Sequence, residues 1–236
     1  MEKKKTALIT GGSKGMGRAI SFTLAEMGYD LLVCARSTAD LKELKADIQQ
    51  TFPGVQVHWM SVDFSQAEAA EEVCFAFKAY CVDVLVNNVG IFCPDSILEV
   101  DAPLFQQQMQ VNLNTPRYLS AYWGNLMKAR KSGHIINITS IASRQPHASA
   151  GSYTVTKFAL KGLTKVLRET LRPYGVKVTE IVPGSTFTAS WAGTDLPQTQ
   201  FIQPEDIAAA VALSLKSSAG ALVDEIVVTP VRDVTA

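Results

Sequence analysis

Residues 6–17 read TALITGGSKGMG. An apolar run of strand length closes on a turn carrying Gly11, Gly15 and Gly17, and a helix is expected from about Arg18. Glycine lets a backbone turn sharply and come close to a ligand. The free N–H groups at a helix start then face an anion held in the turn. The spacing is neither the GxGxxG fingerprint nor a P-loop, because no Gly-Lys-Ser/Thr sequence ends it. Three glycines between a strand and a helix still make a cradle suited to a phosphate group.

Outward from this turn, strand-like runs recur at 30–35, 55–61, 83–88, 134–140, 177–182 and 225–229. Several are apolar nearly throughout, as strands covered on both faces are. Helix-length segments lie between them. Leu41, Leu44 and Ile48 form a stripe in 39–50, and Ala70, Cys74, Phe77 and Cys81 form one in 65–81. Long helices are predicted over 102–130 and 152–174, and a last one over about 204–217. Repeated strand–helix–strand units imply right-handed crossovers. The expected fold is α/β, Rossmann-type and doubly wound, a seven-stranded parallel sheet with helices on both faces. Such sheets bind ligands beyond the carboxyl ends of their strands.

With 236 residues, 47% apolar and 19% charged, the chain is globular. No Pro/Gly/Ser-rich linker or repeat divides it, so 1–236 is expected to be one domain. Lys plus Arg and Asp plus Glu each number 22. The resulting net charge of zero provides no global field for nucleic acid or an anionic membrane. Cys34, Cys74, Cys81 and Cys93 lack CxxC or zinc spacing and read as reduced thiols. His58 and His134 fall on strand runs and read as packing or edge residues, and no metal is expected. The basic start, Met1–Lys5, is followed only by Ala7-Leu8-Ile9 as an apolar run, too short for a signal core. Nothing approaches the length of a bilayer span. The protein is expected to be cytoplasmic.

Dinucleotide folds that take NAD usually place an acid about 20 residues past the glycines, on the ribose 2′-OH. Here Arg36 stands 19 residues past Gly17, and no Asp or Glu occurs from Leu31 to Ala39. Arg36 and Lys14 instead suit a 2′-phosphate through charge-assisted hydrogen bonds. NADP(H) is expected in preference to NAD(H).

Tyr153 and Lys157 are four residues apart, one turn along one helix face. A free tyrosine has a pKa of about 10, and a nearby ammonium lowers it. Tyr153 can then give a proton to a carbonyl oxygen or take one from an alcohol. Ser140 ends the fifth strand run, with Thr139 and Ser143 as neighbouring hydroxyls. Strand alternation points Thr139 to the opposite face. Pro116 has no N–H, so it cannot pair with the carbonyl of Asn112 four residues earlier.

TGxxxGxG at 10–17, Asn87-Asn88-Val89-Gly90, and Ser140 ahead of Tyr153 and Lys157 together resemble the short-chain dehydrogenase/reductase family, over nearly the whole chain. Val89 stands where the family more often has Ala. The resemblance implies that Tyr153 is the acid/base, Ser140 bonds the substrate oxygen, Lys157 tunes Tyr153 and binds ribose, and the Asn112 carbonyl holds a relay water. It places Gly11, Ser13, Lys14, Gly15, Met16 and Gly17 at the cofactor, with Arg36, Ser37, Asp63, Phe64, Asn88 and Gly90. Pro183-Gly184 would be followed by a threonine on the nicotinamide carboxamide, Thr188 by its offset with Thr186 the rival. Residues 185–203 match a substrate lid, in which Trp191, together with His147, is a candidate for substrate contact.

The implied activity is hydride transfer from NADPH to a small ketone or aldehyde, reversible as alcohol dehydrogenation. The alternatives are a 3-oxoacyl-[acyl-carrier-protein] reductase and a sensor that binds NADPH without turnover. The ending Val227-Val228-Thr229-Pro230 departs from the Gly-Gly-containing last strand usual in the former. The intact Tyr/Lys pair stands against the latter. A homodimer or homotetramer is implied through helices 102–130 and 152–174, with Trp123, Leu126 and Leu171 at the contact.

Overall fold

Residues 4–191 and 193–232 are described by a computed structural model. The first three residues of the basic start and Ala192 of the expected lid lie outside the described residues. Seven strands form one sheet: β1 (Thr6–Thr10), β2 (Asp30–Ala35), β3 (Val57–Ser61), β4 (Val84–Asn87), β5 (His134–Ile138), β6 (Lys177–Pro183) and β7 (Glu225–Val228). They run in the order β3-β2-β1-β4-β5-β6-β7, and every neighbouring pair is parallel. The expected doubly wound sheet is the observed one.

The helices are α1 (Gly15–Glu26), α2 (Thr38–Thr51), α3 (Ala69–Phe77), α4 (Ala102–Met109), α5 (Thr115–Arg130), α6 (Gly151–Leu171) and α7 (Pro204–Lys216). Side chains alternate across each strand, so each strand feeds two cores. Ala7 and Ile9 of β1 pack with Ile20, Leu44 and Val211, from α1, α2 and α7. Leu8 packs on the other face with Val73, Leu119, Trp123 and Leu171, from α3, α5 and α6.

Three local expectations are corrected. First, α1 begins at Gly15, not near Arg18, so Gly15 and Gly17 lie in its first turn. Second, 102–130 is not one α-helix. A π turn at Gln110–Asn114 separates α4 from α5, and Pro116 sits in the first turn of α5. Proline withdraws the N–H that an α-helix would aim at the Asn112 carbonyl, and the chain takes the wider turn there. Third, Trp123 and Leu171 are buried within the chain and cannot face a second subunit, whereas Leu126 is exposed. Among the described residues, no helix is long and apolar enough to cross a membrane.

Candidate active site

A cleft of about 1040 Å³ opens at the carboxyl ends of the strands, where the order reverses between β1 and β4. Asn88 and Thr10 tie its floor together. The Asn88 side-chain amide donates to the carbonyls of Thr10 (2.9 Å) and Gly11 (3.1 Å). The Thr10 hydroxyl accepts from the N–H groups of Asn88 and Val89, each at 3.1 Å. Gly15 has φ +51°, a left-handed conformation that favours glycine. A Cβ at Gly17 would stand 2.0 Å from the Gly11 carbonyl oxygen. These glycines keep the cradle open and bring the start of α1 against it. Ser13, Lys14 and Met16 line the same wall.

The outer end of the cleft is lined by Arg36, Ser37, Asp63 and Phe64. The Ser37 hydroxyl caps α2 by accepting from Asp40 N at 3.2 Å. Ser61 donates to the Arg36 carbonyl at 2.8 Å and fixes that corner. The Asp63 carboxylate accepts from Ser65 N at 3.0 Å, and this bond holds its pKa below the usual range. Lys14 is not free. Its ammonium lies 2.9 Å from Asp40, an acid one residue past the stretch that reads as acid-free.

At the inner end α6 presents Tyr153 and Lys157 to the cleft. Lys157 is 4% exposed. Its ammonium donates to the Ile138 carbonyl at 3.2 Å and lies 5.5 Å from the centre of the Tyr153 ring. Burial pushes its pKa down to about 8. Burial also raises the pKa of Tyr153, opposed by its hydrogen bond with Ser140. The expected lowering of Tyr153 is therefore outweighed by desolvation. The competing hydroxyls resolve themselves. Thr139 donates to buried Glu180 at 2.8 Å, and Ser143 reaches the same oxygen at 3.5 Å. Ser140 accepts from Ala142 N at 3.1 Å and is hydrogen-bonded to Tyr153, but it does not itself line the cleft, whereas Thr139 does.

Asn112 does not line the cleft. Its side chain accepts from Ile91 N (2.8 Å) and donates to Ile91 O (2.9 Å) and Thr156 Oγ1 (3.1 Å). It binds the loop after β4 to α6. Farther along that loop, the Asp95 carboxylate accepts from Ser152 N at 2.9 Å, beside Tyr153, and from buried Gln108 at 3.2 Å.

Several expected residues stand elsewhere. His147 is exposed and off the cleft wall. Trp191 packs on Phe201, ring centroids 4.8 Å apart, instead of facing the cleft. Thr186 is buried, donates to the Gly184 carbonyl at 3.1 Å and pairs with Ile202. Pro183 and Gly184 sit behind it and do not line the cleft, whereas Thr188 does, with its methyl beside Gly15. Phe92, which sequence reasoning missed, lines the cleft edge-on to Tyr153 at 5.1 Å and is 51% exposed. Its place two residues past Gly90 was the available signal. No cluster of three metal-ligating side chains occurs among the described residues.

A dinucleotide phosphate fits the glycine turn, which closes on the start of α1 only because Gly17 has no Cβ to strike the Gly11 carbonyl, and Lys157 is a buried ammonium with donors to spare for ribose hydroxyls. A family model described as short chain dehydrogenase matches residues 5–198. An uncharacterized oxidoreductase of Staphylococcus saprophyticus is 31% identical over 96% of this chain and 97% of its own. A metagenomic short-chain oxidoreductase solved in complex with NADP is 30% identical, with a TM-score of 0.83 over 97% of this chain and 98% of that one. An alcohol dehydrogenase from the archaeon Thermococcus sibiricus, complexed with 5-hydroxy-NADP, is 29% identical, with a TM-score of 0.88 over 99% of this chain and 100% of that one.

Proposed function

The chain belongs to the short-chain dehydrogenase family, and on that premise we propose that it is an NADPH-dependent reductase of a small ketone or aldehyde, reversible toward the alcohol. The observation that carries this reading is Tyr153, hydrogen-bonded to Ser140, beside buried Lys157 at one end of a cleft whose other wall is the glycine turn; Tyr153 and Lys157 line the cleft and Ser140 stands behind Tyr153. The relatives solved with NADP-type ligands support the cofactor. Arg36 and Lys14, at the outer end, support a 2′-phosphate.

A bound nicotinamide would supply hydride to the carbonyl carbon. Tyr153 Oη gives its proton to the carbonyl oxygen, so hydride plus proton completes the alcohol. The raised pKa of Tyr153 keeps that proton on the phenol at neutral pH, ready for donation. Ser140 donates a hydrogen bond that holds the carbonyl oxygen, while Glu180 keeps Thr139 and Ser143 from competing. The Lys157 ammonium holds ribose hydroxyls and stabilises the phenolate left on Tyr153. The Asn112 carbonyl, facing no N–H at Pro116, is the seat of the water that returns the proton. Thr188 serves the nicotinamide carboxamide, and 185–203 closes over the substrate. The described segments act as one domain, and the exposed Leu126, Phe158 and Val166 on α5 and α6 suit pairing with a second copy.

The test is NADPH oxidation against a panel of ketones, aldehydes and 3-oxoacyl thioesters, with NADH in parallel. Tyr153→Phe is expected to lose turnover by about 10³-fold and to keep NADPH binding. Turnover unchanged in Tyr153→Phe would remove the proposed acid. Turnover on thioesters alone would select the acyl-carrier-protein reading. Tight NADPH binding with no turnover across the panel would select the sensor.

A further inference from the structure

We propose that Asp40 limits how strongly the cleft prefers NADPH to NADH, by acting as a built-in counter-ion for Lys14; this rests on the NADPH reading above. Lys14 Nζ and Asp40 Oδ2 are 2.9 Å apart, and both residues line the cleft beside Arg36 and Ser37. The carboxylate is the better-buried partner, with its side chain 21% exposed against 70% for Lys14. The Lys14 ammonium holds the Asp40 carboxyl below the usual carboxylate range.

The two partners differ in freedom. Asp40 sits in the first turn of α2, where the helix end favours an anion, and its N–H is held by the Ser37 hydroxyl. Lys14 carries its charge on a flexible four-carbon stem. When a 2′-phosphate arrives, the lysine swings and the aspartate stays. Its negative charge then remains beside a phosphate dianion and repels it. Arg36, which makes no ion pair among the described residues although its charge reaches Asp63, also attracts the phosphate. A ribose 2′-OH carries no charge and is not repelled by the same carboxylate. Asp40 therefore weakens NADPH and leaves NADH nearly untouched. The preference for NADPH that Lys14 and Arg36 imply is moderated by one acid.

The experiment is a fluorescence binding titration of NADPH and of NADH with the full chain, free of any substrate. Asp40→Asn is expected to tighten NADPH by about tenfold, the size a unit charge beside a phosphate has at a solvent-exposed site, and to change NADH less than about twofold. Asp40→Ser, which removes the amide as well, is expected to behave the same way. Unchanged or weaker NADPH binding in both variants would overturn the proposal, since Asp40 would then be aligning Lys14 for the phosphate or doing nothing. Equal gains for both cofactors would overturn it too. Arg36→Ala in the same titration separates this from the parent reading. If it leaves NADPH binding unchanged, the NADPH preference itself fails. If it weakens NADPH while Asp40→Asn has no effect, only the role of Asp40 fails.

Discussion

Lys14 and Lys157 stand at opposite ends of one cleft and carry the same functional group, yet the fold treats them oppositely. Lys14 is mostly in water and shares its charge with Asp40 across 2.9 Å. Lys157 is 4% exposed and leans on a single carbonyl, with its pKa down to about 8. An exposed charge acts through a field that water and salt weaken. A buried one costs stability to keep and acts at full strength on the atoms beside it. The outer end is built for recognition, the inner end for chemistry.

The sharpest way to break this comparison is to remove each lysine in turn. Lys157→Met is expected to reduce turnover by about 10²–10⁴-fold and to stabilise the fold by at most about 3 kcal/mol, from the drop from 10.5 to about 8. The sign follows from proton binding. Between pH 8 and 10.5 the unfolded lysine holds a proton that the folded one has lost, so wild-type stability rises across that window and is lowest below it. Urea melts of wild type and variant check it, and a Lys157→Met that melts earlier would deny that the buried ammonium is costly. Lys14→Met should leave the melt unchanged.

A smaller effect lies in pH. Reduction needs the Lys157 ammonium, so its rate is expected to decline as pH rises through about 8. A flat profile from pH 6 to 9.5 would separate Lys157 from the chemical step. Smaller again, Arg36→Asp is expected to weaken NADPH by about tenfold and to favour NADH, with the wild-type NADPH affinity falling as salt rises. Affinity insensitive to both would strip the outer end of its recognition role.

The same contrast explains what could be read from the chain. All seven strands stand within a few residues of their expected ranges, because apolar runs between helical stripes leave little choice of pairing. The glycine turn was legible because backbone geometry demands glycine, and Tyr153 and Lys157 because helical spacing fixes their common face. Strand alternation set Ser140 apart from Thr139, but Ser143 remained a rival until β6 brought Glu180 within reach of it. Asp40 lies one residue past the acid-free stretch Leu31–Ala39, and Phe92 and Asp95 gain meaning only where their loop meets α6. Trp123 and Leu171 read as available for a partner because an apolar stripe does not say which layer covers it. The break in 102–130 was implied by Pro116, but only the folded chain shows it as a wider turn.

That wider turn also works as a phase setter. An α-helix advances about 100° per residue, so the place of Gln110–Asn114 fixes the direction every later side chain of α5 faces. Leu119, Trp123 and Met127 meet the core in that phase. Deleting one residue from 110–114 would act like a frameshift in three dimensions, turning the whole apolar stripe of α5 by about a quarter turn and carrying Trp123 toward water. The length of this stretch is held as firmly as the Asn112 side chain within it.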